Sequence, residues 1–137
     1  MLRAAVLAWL RLYRVVQKID RMQSAYLRSW DLNTAQFDVL AHVGAHKGIT
    51  QQELADSLLV TKGNISQLLD RMEKLDLLKR CQEKRNNTLA LTEKGQELFE
   101  RVVPTTEKLI EEQFTVLSAS EVAELLRLAR KLDQALR

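Results

Sequence analysis

Residues 50–92 read TQQELADSLLVTKGNISQLLDRMEKLDLLKRCQEKRNNTLALT, and the local order of that stretch decides the fold. Thr50 followed by Glu53 is the reciprocal capping pair that opens a helix, and Leu54, Ala55 and Leu58 give it one apolar side. Thr61 caps a second helix, on which Ile65, Leu68, Leu69 and Met72 fall inward. Lys62, Asn64, Ser66, Gln67 and Arg71 are left facing outward. Residues 77–81 and 88–91 then have strand length around the polar stretch 82–87. Asn86-Asn87 suits a tight turn there, because asparagine tolerates positive φ. Helix, turn, helix and two-stranded wing, in that order, hold a helix in the DNA major groove with a basic tip beside it. The pattern therefore points to binding and away from catalysis.

On the N-terminal side, apolar residues recur at Leu2, Val6, Trp9, Tyr13, Val16, Ile19, Met22, Tyr26 and Trp30, with every gap three or four. This spacing predicts one amphipathic helix of roughly 40 Å, too long to bury its stripe against so small a domain. Asn33 with Gln36 caps a second helix with Phe37, Leu40, Ala41 and Gly44 inward, and Gly48 ends it as a left-handed stop. On the C-terminal side, Thr92-Glu93 starts a long helix that Pro104 should kink or divide. Ser118 with Glu121 opens a last helix, on which Val122, Leu125, Ala129, Leu132 and Leu136 form a near-heptad seam. Both ends carry stripes that the middle cannot cover, so a two-fold dimer clasped through its ends is expected.

The fold class is thus mostly α (α+β): a winged helix-turn-helix core with long N- and C-terminal dimerisation helices. Residues 1–31 form the N-terminal dimerisation helix, 32–95 the DNA-binding lobe and 96–137 the C-terminal dimerisation helices. At 137 residues and one cysteine, Cys81, the chain fits a compact unit without an internal disulfide, in a reducing, cytoplasmic setting. The net charge of +3 is unevenly spread. Residues 1–30 carry six basic residues against Asp20, and residues 62–85 carry seven basic against four acidic. A local basic patch is the electrostatic footprint of a nucleic-acid binder. The seven-residue apolar run 4–10 is at the short limit for a signal-peptide core and too short to span a bilayer. A transit peptide or membrane-surface helix is the competing reading, weakened by a pattern that continues unbroken to Trp30.

Six short motifs follow one another in register: Leu32-x4-Phe37-x2-Leu40, Thr50-x2-Glu53-Leu54-Ala55, Asp70-Arg71-Met72-Glu73, Leu77-Leu78-x-Arg80, Leu91-Thr92-x2-Gly95 and Leu117-Ser118-x2-Glu121. Together they resemble the MarR family of dimeric winged-helix regulators, over residues 32–137. Three positions depart from the family pattern. Asp76 stands where glycine is usual after the recognition helix. The wing is about three residues short, with Glu83-Lys84-Arg85 for the usual Asp-Arg-Arg. Gly63 stands where serine or another polar residue is commoner.

The resemblance and the residue types together name the candidate sites. Thr61, Lys62, Asn64, Ser66, Gln67 and Arg71 would face the major groove, where Asn or Gln suits adenine and Lys suits guanine or phosphate. Arg71 has an alternative role in pairing with Asp70 or Glu73. Lys84 and Arg85 would enter the minor groove or grip phosphates, and Arg80 is either structural or DNA-facing. Trp9, Tyr13, Trp30, Phe37 and His42 are candidates for an inter-lobe cleft, where relatives bind small effectors. With Arg11 and Arg14 nearby, an anionic aromatic or acyl ligand would suit it. Plain core and interface packing is the commoner role for each of the five. His42 and His46 lie four apart on one helix face and are weak Zn²⁺ candidates lacking a third ligand nearby. Cys81 is a weak redox candidate, since peroxide-sensing relatives carry their cysteine in the first helix. No cofactor is expected. No Ser/His/Asp set, paired carboxylates or phosphate loop suggests an enzyme. A repressor acting on a pseudo-palindromic site is the leading expectation. A metal- or redox-responsive regulator of the same fold and a protein-binding adaptor are the alternatives.

Overall fold

The computed structural model describes residues 2–83 and 86–136. Its order is α1 (Leu2–Arg28), α2 (Thr34–Ala45), α3 (Gln51–Leu58), α4 (Lys62–Lys74), β1 (Leu78–Glu83), β2 (Asn86–Leu91), α5 (Glu93–Gln113) and α6 (Ala119–Ala135). Each expected cap is present. Asn33, Thr50 and Ser118 each accept from the backbone three residues on, while Gln36, Glu53 and Glu121 reach back to close the box. Thr61 and Thr92 cap α4 and α5 by the same first half of that exchange. The Thr50 amide and hydroxyl hold the Glu53 carboxyl below the usual carboxylate range. The cap is therefore strongest above that range and is lost as the carboxyl protonates.

Three helices stop in the same way, with a residue in the left-handed region: Asp31 after α1, Leu59 after α3 and Asp76 after α4. After α4 the Leu77 amide bonds to the Met72 carbonyl and the Asp76 amide to the Glu73 carbonyl, a Schellman stop. Aspartate at 76 thus does the work of the glycine that the family pattern leads one to expect there. Gly48 also takes its expected left-handed value, φ 79°.

The wing is longer than the sequence suggests. β1 and β2 pair antiparallel from Leu78↔Leu91 through Glu83↔Asn86. Asn86 and Asn87 therefore lie in the strand and not in a turn, because ladder pairing satisfies their backbone groups. Lys84 and Arg85 lie outside the described residues. The Thr50↔Thr88 bridge and the Leu89 amide bond to the Ile49 carbonyl tie the wing to the start of α3. Pro104 lies within α5 and does not divide it.

One core joins all of this. Leu40, Val39, Leu54, Ile65, Leu69, Met72 and Leu89 are essentially inaccessible, together with Leu27 from the end of α1 and Val102 from α5. The lobe thus draws on the C-terminal end of the first helix and the first half of the fifth. Beyond those points the helices run out of the core: residues 3–18 of α1 are exposed, and α6 has no buried residue.

The Leu91-Thr92-x2-Gly95 motif has a physical explanation here. The Thr92 amide bonds to the Leu77 carbonyl at 3.1 Å, and its hydroxyl donates to the Asp76 carbonyl at 2.5 Å. A Cβ on Gly95 would sit 1.9 Å from the Leu77 carbonyl oxygen, a backbone atom with no freedom to move aside. Gly95→Ala is expected to lower stability by about 3 kcal/mol, because overpacking against a fixed group forces helix α5 off the lobe. Urea unfolding of the variant beside the parent measures this.

Candidate nucleic-acid interface

Helix α4 is anchored by one side only. Ile65, Leu69 and Met72 are buried, which turns Lys62, Asn64, Gln67 and Arg71 to solvent and leaves Ser66 half-buried. Asn64, Gln67 and Arg71 follow at intervals of three and four, so they share one face and border a shallow hollow of about 270 Å³ beside Ala35 of α2. The Thr61 hydroxyl accepts from the Asn64 amide at 3.2 Å, so its oxygen is engaged in capping. This arrangement offers amide side chains for base edges and cations for phosphates on a rigid exposed rod.

The electrostatics of that rod depend on a residue of the wing. Arg80 on β1 donates at 2.6 Å to both Asp70 and Glu73 of α4, and at 3.1 Å to the Ser66 carbonyl. It is a latch between wing and helix. Because the latch occupies both carboxylates, Arg71 has no ion-pair partner among the described residues and keeps its charge for other contacts. The position of Arg80 was legible in sequence. Its double engagement was not, because it joins residues ten and seven positions apart across a turn. The only hint was Asp70 and Glu73 at i, i+3 on one helix face.

The remaining candidates are dispersed. Trp9 and Tyr13 are exposed on α1 with ring centres 5.9 Å apart. Phe37 is buried in the core, and Trp30 packs partly buried against it. His42 is half-buried, with its Nδ1 2.8 Å from the Asp38 carbonyl. Burial pushes the Asp38 carboxyl up, His42 opposes that shift and Asp20 adds to it. The His42 and His46 rings lie 6.3 Å apart, and no set of three candidate metal ligands occurs among the described residues. Cys81 sits half-buried on β1. A separate apolar groove of about 670 Å³ runs between Leu12 and Val15 of α1 and Leu125, Leu128 and Leu132 of α6. No helix among the described residues is long and apolar enough to cross a membrane.

A capped helix presented beside a two-stranded wing, both fixed to one core, defines a winged helix-turn-helix protein. Residues 30–86 match the MarR family model. An HTH-type transcriptional regulator of Bacillus cereus is 42% identical over 98 residues, covering 72% of this chain and 67% of its own. The transcriptional regulator HosA of Escherichia coli is 30% identical over 74% of this chain and 78% of its own. The structure of a mutant MarR of E. coli complexed with operator DNA superposes with a TM-score of 0.80 at 32% identity, covering 93% of this chain and 95% of that one. The chain belongs to the MarR family, and it is a DNA-binding transcriptional regulator and not an enzyme.

The latch makes a specific prediction. Arg80→Lys retains the charge but cannot reach two carboxylates and a carbonyl at once. It is expected to cost about 1–2 kcal/mol, the low end for charge-assisted bonds since both acids are partly exposed. DNA affinity should fall as Asp70 and Glu73 are released. Denaturant unfolding and a DNA titration measure the two effects.

Proposed function

We propose that the protein works as a homodimer that represses by occupying a pseudo-palindromic operator, reading it with Lys62, Asn64, Ser66 and Gln67 of α4 while Arg71 grips a phosphate. Thr61 positions the first turn of that helix, and Lys84 and Arg85, which follow β1 in the sequence, would supply contacts to the minor groove or the phosphates. The observation that carries the reading is the exposed face of α4, on which Arg71 has no ion-pair partner among the described residues because Arg80 holds Asp70 and Glu73. The operator DNA named for the E. coli MarR structure supports an operator as the partner of this chain.

The pairing of two chains rests on exposed surface. The chain exposes 10546 Å², whereas a compact monomer of its mass is expected to expose roughly 7,300 Å². Trp9, Leu12 and Val16 of α1, Leu128 and Leu132 of α6 and Leu136 just after it contribute to the excess. A helix of 17 residues with no fully buried side chain in its own chain is only marginally stable alone in water. The outer parts of 1–31 and 96–137 therefore act as dimerisation arms on the 32–95 lobe. A small anionic aromatic or acyl effector between arms and lobe, near Trp9, Tyr13, Trp30, Phe37 and His42, would act by binding better to a dimer whose recognition helices are wrongly spaced. The setting is the cytoplasm.

Selection of bound duplexes from a random pool is expected to return an inverted repeat with half-sites about one helical turn apart. Asn64→Ala should change the preferred bases. Arg71→Ala should weaken all sequences alike and make the log–log salt slope shallower by about one, the value for a lost phosphate contact. No enriched motif at low salt would sink the DNA reading. Leu132→Asp, at the α1–α6 groove, should give monomers by sedimentation and lose operator binding. A dimer that survives this change would place the interface elsewhere.

A further inference from the structure

The turn between α3 and α4 departs from local preference at two positions. Leu59 holds φ 54° and is 91% exposed. It closes α3 through its own amide to the Asp56 carbonyl and the Val60 amide to the Ala55 carbonyl. The left-handed region is unfavourable for any residue with a Cβ. The other two helix stops of this kind are Asp31 and Asp76, a residue type that tolerates it. Leucine has no such tolerance, and its side chain is too exposed to recover the cost by burial.

Four residues on, the mismatch is reversed. Gly63 is the second residue of α4, its φ is ordinary for a helix, and a Cβ built on it meets nothing within 4 Å. Any other residue except proline would fit there and favour the helix. A leucine thus stands where glycine suits the backbone, and a glycine stands where a side chain suits it. Both flank Thr61, the cap of the helix proposed to enter the groove. Departures from local preference that nothing inside the fold compensates are characteristic of contact sites.

We infer that Leu59 and Gly63 are DNA-contact positions, an inference that rests on the proposed DNA-reading role of α4. The Leu59 side chain packs on an apolar edge of the operator, either deoxyribose or a thymine methyl. The bare Gly63 backbone lets the first turn of α4 approach the sugar–phosphate chain, where a Cβ would stand between them. Shape and desolvation at this turn then add to the polar readout by Asn64 and Gln67.

Fluorescence anisotropy on the selected operator, at one salt concentration, is paired with thermal unfolding for the parent, Leu59→Gly and Gly63→Ala. Both variants are expected to melt at a higher temperature than the parent and to bind at least fivefold more weakly. Replacing the thymines of the half-site by uracil separates the two apolar edges. If a thymine methyl is the contact, uracil weakens the parent and leaves Leu59→Gly unchanged. If deoxyribose is the contact, uracil spares both while Leu59→Gly remains weaker. Variants that bind within twofold of the parent overturn the inference and leave the DNA-reading role standing, as does weaker binding accompanied by a lower melting temperature. A parent that selects no operator overturns both.

Discussion

The backbone of Leu77 is the junction on which the DNA-facing part of the molecule depends. Its amide closes α4 on the Met72 carbonyl, and its own carbonyl receives the Thr92 amide at the head of α5. The bare α-carbon of Gly95 leaves room for that carbonyl. Its side chain and that of Leu78 are buried on entry to the wing. The backbone of one residue therefore sets the end of α4, the start of β1 and the direction of α5. Arg80 then secures the wing to α4 a few residues further on, so helix and wing move as one body. A reader of DNA needs this, because base readout depends on side chains held at a fixed height in the groove.

The arms follow the opposite logic. The lobe has a closed core, whereas α6 and the outer half of α1 hold their apolar residues in solvent. Within one chain the molecule is well packed at one end and uncovered at the other. Association of two such chains would complete the folding of the arms as well as join the lobes, so shape and assembly would be settled together.

Much of this was legible in the sequence, and for local reasons. Asn33–Gln36, Thr50–Glu53 and Ser118–Glu121 are boxes whose chemistry is complete within four residues, so no tertiary information was needed to place those helix starts. The inward residues of α4 were legible because one helix face has to be buried. The wing was less so: Asn86 and Asn87 have turn chemistry, yet ladder pairing with Glu83 and Gln82 prevails. Pro104 was expected to bend or break α5, and the helix continues because buried Val102, Val103 and Thr106 hold it on both sides. Within the candidate site, Lys62, Asn64, Gln67 and Arg71 face solvent as their spacing implies. The Arg80 latch and the left-handed Leu59 were hidden, since both arise from how neighbouring elements meet and leave no periodic trace.

Pro104 has a mechanical consequence. Lacking an N–H, it leaves the Glu100 carbonyl without its usual partner, while the Thr105 and Thr106 hydroxyls turn to the carbonyls of Arg101 and Val102. Helix α5 is therefore missing one rung of its ladder at the level where the lobe gives way to the arm. The other covalent link, residues 29–31, is a reversal and no rod. In the proposed dimer these two links would be where the lobe turns relative to the arm, so a difference in half-site separation would be met there and not by distorting the surface that touches the bases.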